Sequence, residues 1–172
     1  PEEAAGIFAA INGDVTPMTA LALFKAARAA GVRWAVLVDE ACRTAGVTPL
    51  VYPVPAAKQK PLMTTAIGSM KIILERHGAP VLAAALQCLA ETRNSRAPGF
   101  LTAALIKGCA SLFLTRPAWL ADVTAVAAEF TAFDPSATGF GVIEAALGRR
   151  LGDGRSTPEA RSELAARVRD LK

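Results

Sequence analysis

Apolar positions recur along this chain at intervals of three and four, the period of helices buried along one side, and strict alternation is nearly missing. The pattern predicts an all-α fold. Residues 2–11 read as a first helix ended by "NGD"; 18–30 read as a second, with Leu21, Phe24 and Ala29 inward and Gly31 just past its end; 33–45 read as a third, stopped by Gly46. Residues 47–61 hold four prolines and predict an extended linker, because proline lacks an amide donor and clashes with the preceding helical turn. Beyond it lie helices at 62–76, closed by Gly78, and at 80–93, 100–114, 117–130 and 140–151. The tail, 156–172, has a capping box of Ser156 with Glu159 and a thin stripe of Leu164, Val168 and Leu171. The expected architecture is one compact domain, 1–155, of about seven to nine helices. Its halves, 1–46 and 62–155, are joined by the 47–61 linker, and the tail packs weakly.

Within the second half, "IKGCASLFL" is apolar on nearly every side except at Lys107 and Ser111. That makes 100–114 the expected central helix. The expected core is Ile67, Leu74, Leu82, Leu86, Leu89, Leu105 and Leu112, with Trp119, Val123, Val126 and Phe130 packed around it.

Composition narrows the class. The longest stretches without a charge are about fourteen residues, short of the roughly twenty that span a bilayer, and no secretory leader is visible. Cys42, Cys88 and Cys109 are odd in number and set among apolar residues, as buried free thiols are, which fits a cytoplasmic location. "PEEAA" reads as the first turn of a helix whose capping residue is missing, so the chain is expected to be a piece of a longer protein.

Catalytic constellations are not evident. The one histidine, His77, stands at a helix end beside Gly78, where a cation would suit the helix dipole and no partner marks it as a base. The cysteines lack zinc-ligand spacing, the acids are scattered singly, and no phosphate-binding or nucleophile motif is present. The expectation is a protein that is not an enzyme, with no metal and no cofactor.

Charge carries the functional reading. Nineteen Lys and Arg face fifteen acids, and the excess gathers at loops and helix ends. Cations there can grip phosphate, aided by free first-turn amides. Lys58 and Lys60 stand in the proline-rich loop, and with the next helix starting at 62, Thr64 and Lys71 would extend them into one strip, Gly68 letting a backbone approach. Arg93 and Arg96 in the "RNSR" loop, with Arg149 and Arg150, are secondary candidates. Solvated surface lysines are the plain alternative for the same residues.

The order of segments adds a resemblance. "PEEAAGIFAAIN", "MTALALFKAARAAG", the linker with "KPLMTTAIGSMKIILERHG", then "APVLAAALQCLAE" and "LIKGCASLFL" together resemble the helical region that follows a ParB/sulfiredoxin-like domain in bacterial ParB-like proteins. The resemblance covers about residues 1–115 and implies DNA-associated work in partition or gene regulation, with double-stranded DNA as partner. The helices at 18–30 and 33–45 are spaced like a helix-turn-helix, but Asp39 and Glu40 in the second would repel phosphate. A protein-interaction or dimerisation module, binding a second copy or another protein, stays open as the alternative.

Overall fold

The computed structural model describes residues 19–151. The predicted segments 2–11 and 156–172 lie outside them. Among the described residues the protein is a compact helical domain of seven helices with one two-stranded sheet of minimal size.

Helix α1, Ala20–Ala29, starts where Thr19 Oγ1 accepts from the Ala22 amide at 3.2 Å. It buries Phe24 and Ala27. Ala29, expected inward, is exposed, because it lies on the opposite side of the helix from Phe24. Helix α2, Arg33–Thr44, buries Ala35, Val38, Ala41 and Cys42, and its Trp34 ring packs 5.8 Å from Phe24. Both helices end in the same way. Gly31 and Gly46 adopt φ +67°, and the amides that follow, Val32 and Val47, reach back to the carbonyls of Ala27 and Cys42 at 2.9 and 2.8 Å.

The proline-rich segment is more structured than an extended linker. Strand β1, Thr48–Pro49, pairs in parallel with β2, Met63–Thr64, through bonds from the Thr48 amide to the Leu62 carbonyl and from the Leu50 amide to the Thr64 carbonyl, each 2.8 Å. Between them a single 3₁₀ turn spans Ala56–Lys58. The strand keeps 62–64 out of the following helix, so α3 runs Ile67–His77 and begins five residues later than its apolar pattern predicts.

Helix α4, Ala79–Glu91, is the central element. It packs against α2 and α3, and against α5 (Ala103–Thr115), α6 (Val123–Phe130) and the 3₁₀ turn Pro117–Asp122. Seven of its residues are buried: Val81, Leu82, Ala84, Ala85, Leu86, Cys88 and Leu89. The small Ala84 and Ala85 let neighbouring helices approach closely. This corrects the sequence expectation, which put the 100–114 helix at the centre. Helix α5 buries Ile106, Cys109, Ala110, Leu112 and Phe113, while Lys107, Ser111 and Leu114 meet solvent and Leu105 is only half-buried. The rest of the expected core, Ile67, Leu74, Leu82, Leu86, Leu89 and Leu112, is buried as predicted.

Helix α7, Phe140–Leu151, closes the described fold against α5 and α6 by burying Ile143 and Leu147. The Phe140 ring lies over Gly108 of α5, where a β-carbon would collide with it. Arg116, at the end of α5, is held to Glu144 of α7 at 2.9 Å in a largely buried pair. The two predicted halves therefore share one core, with α2 seated directly on α3 and α4.

Candidate nucleic-acid interface

Lys58 and Lys60 project from a braced loop. Between them Gln59 has extended backbone and is buried, its Nε2 donating to the Val54 carbonyl at 2.9 Å. Gln59 turns inward and leaves the lysines on either side of it to solvent. Both lysines are exposed. The 3₁₀ turn under them is closed by bonds from the Lys58 amide to the Pro55 carbonyl, 2.8 Å, and from the Gln59 amide to the Ala56 carbonyl, 3.1 Å.

A second loop, 92–101, is locked against the first. Gly99 abuts Ala56, and Thr64 Oγ1 donates to the Leu101 carbonyl at 2.7 Å. Within that loop Thr92 and Ser95 are buried, and the Ser95 amide bonds the Thr92 carbonyl at 3.1 Å. Arg93 and Arg96 are left on the outside. The fold thus brings Arg96 onto the same loop pair as Lys58 and Lys60. No ion pair engages these three cations among the described residues.

The remaining expected contacts are placed otherwise. Thr64 is fully buried, since its extended backbone turns the hydroxyl inward to Leu101, and the same oxygen accepts from the Ala66 amide at 3.0 Å. It is not part of a surface strip. Lys71 is half-buried, 3.5 Å from Glu75 and 5.1 Å from the Trp34 ring centre, so its charge is already shared. Arg93 faces Asp134, a carboxyl held below its ordinary range by the Ser136 hydroxyl, with the Arg93 charge a smaller cause. Arg150 is bound to Glu129 at 2.6 Å. Arg149 is exposed beside it on α7, an element outside both loops.

Two residues were missed by the sequence reading. Tyr52, 58% exposed in the proline-rich segment, accepts from Lys25 Nζ at 2.5 Å, and that nitrogen lies 4.5 Å from the ring centre. An aromatic in "LVYPV" with no helical face to occupy was the available signal.

The helix-turn-helix spacing of α1 and α2 leads nowhere chemically. Val38 is buried and Asp39 is paired with Arg28 at 3.1 Å, so the middle of α2 presents no cationic reading surface. His77 ends α3 but is not the expected cation, because burial, and then the Arg76 charge, hold its pKa below the ordinary imidazole value. The three cysteines are free and buried; burial pushes the Cys42 thiol up to about 12, with the Asp39 charge adding to it, and raises Cys109 through burial first and its contact with Cys88 second. Among the described residues no group of His, Cys, Asp and Glu converges to hold a metal, and no helix is long and apolar enough to cross a membrane. Comparison of the chain with protein families, with curated proteins and with solved structures finds no match in any of the three.

Proposed function

We infer that this domain binds the phosphate backbone of double-stranded DNA, without reading its bases, through the paired loops 54–60 and 92–99. The observation that carries the reading is the seating of Gly99 on Ala56, supported by the bond from Thr64 of β2 to Leu101 just past the second loop, which leaves Lys58, Lys60 and Arg96 outward without acidic partners among the described residues. A backbone braced in advance loses little freedom on binding, and phosphate contacts set orientation rather than sequence. Tyr52 beside Lys25 offers a ring against which a sugar or base can rest. The resemblance to the region following a ParB-like domain supports the same direction, toward partition or gene regulation in a bacterial cytoplasm. A dimerisation or protein-interaction module is the competing reading.

Fluorescence anisotropy of a labelled random duplex, measured across a salt series, tests it. The double change Lys58→Ala with Lys60→Ala should weaken binding to all sequences alike and make the log-log salt slope shallower by about two, each phosphate contributing roughly 0.9. Arg150→Ala should leave the slope unchanged, its guanidinium being committed to Glu129. A parent protein without duplex affinity at low salt, or a double variant with the parental slope, would move the assignment to a protein partner.

A further inference from the structure

Helices α3 and α5 enclose an open groove of about 300 Å³ that the loop pair does not use. Its floor is buried Ile73 and Ala110, and its walls are Ile72 and Leu114, which remain 43% and 36% exposed. Arg76, His77 and Lys107 stand among its lining residues, and no acid does. Neither Arg76 nor Lys107 has an ion pair among the described residues. Before its last residue, Thr115, α5 is interrupted by two polar side chains, Lys107 and Ser111, and both fall in this groove.

We propose that the groove between α3 and α5 binds a small organic acid, its carboxylate held by Arg76 and Lys107 and its apolar body laid along Ile72 and Leu114. Size, shape and charge agree on that class. The α5 stripe from Lys107 to Leu114 covers two turns, about 10 Å, and a volume near 300 Å³ is at the small end of ligand sites. A guanidinium suits a planar carboxylate, which it can meet with two parallel bonds. An inorganic anion would leave the apolar walls wet, and a cation would be repelled by both charged groups. Burial first, and repulsion by Arg76 second, lower the pKa of His77, so the positive charge beside it is a contributing cause. A sugar-phosphate backbone gains nothing from Ile72 and Leu114, so this groove is separate from the lysine loop in chemistry as well as in place.

The sole histidine of the chain lines the groove, so its ring resonances report on it without overlap. Octanoate, with about ten non-hydrogen atoms, should shift the His77 signals saturably with a dissociation constant of about a millimolar or below. It should also raise the pH at which His77 titrates, because a bound anion favours the imidazolium. Octanol, octylammonium and inorganic phosphate should each bind at least about tenfold more weakly. Arg76→Gln and Lys107→Gln should each weaken octanoate about tenfold at an unchanged melting temperature, and Lys107→Arg should retain most of the affinity. No saturable shift with octanoate, equal binding of octylammonium, or parental affinity in Lys107→Gln would overturn the proposal.

Discussion

Gly99 lies so close to Ala56 that a β-carbon on residue 99 would stand 2.6 Å from the Ala56 β-carbon and 3.1 Å from its carbonyl oxygen. Its φ of +68° is also one that side chains disfavour. Gly31 has nearly the same φ, +67°, but open space around it. Gly99→Ala should therefore cost about 1 to 3 kcal/mol more than Gly31→Ala, which carries only the backbone strain. Thermal melting of the two variants checks this. Equal losses would mean that the two loops are not pressed together. If they are, Gly99→Ala should also lower duplex affinity, because it displaces the turn that carries Lys58.

The identity of the central helix makes a second test. Leu82, on α4, is fully buried, whereas Leu105 on α5 is only partly buried. Leu82→Ala should cost about 2 to 5 kcal/mol, the range for a leucine removed from a packed interior. Leu105→Ala should cost under about 2 kcal/mol, in proportion to the smaller area that it keeps from water. Urea denaturation at a single pH measures both, and the reverse order would return 100–114 to the centre of the fold.

Alkaline pH should unfold the protein through its thiols. The Cys42 thiol titrates near 12 in the fold against 9.0 ordinarily, so the unfolded chain releases that proton first. The stabilisation is complete below pH 9 and is lost as pH climbs toward the folded value, at about 1.4 kcal/mol per unit. Cys109, raised in the same direction, adds to the slope. Comparing urea midpoints near about pH 8 and about pH 10, Cys42→Ala should lose less stability over the interval than the parent does. An identical loss would show that other groups set the alkaline limit.

Much of the helical framework was readable because its punctuation is chemical. Gly31, Gly46 and Gly78 mark helix ends where expected, and Trp119, Val126 and Phe130 are buried, although the expected 117–130 helix is broken into the 3₁₀ turn Pro117–Asp122 and α6, and Val123 is only partly buried. The β1–β2 pair was not readable, since two-residue strands are too short to show alternation. Missing it shifted the start of α3 and put Thr64 on a surface strip that does not exist. Apolar content also could not rank α4 above α5, because hydropathy records what a segment could bury and not how many neighbours surround it. The candidate site divided along similar lines. Exposure of Lys58, Lys60 and Arg96 follows from their loop positions, and Glu75 lies one turn from Lys71 on the same helix, but the Trp34 ring beside Lys71, the Glu129 carboxylate on Arg150 and Asp134 near Arg93 come from elements distant in sequence.

The chain leaves the β1–β2 ladder at residue 50 and rejoins it at 62, so the proline-rich excursion is anchored by one pair of strands and steadied by Ala56 against Gly99 and Tyr52 against Lys25. Substitutions or insertions between those points need not reposition α2 or α3, whose packing is settled outside the excursion. Its exposed charges, Lys58 and Lys60 among them, can then be exchanged for others without disturbing the buried interior.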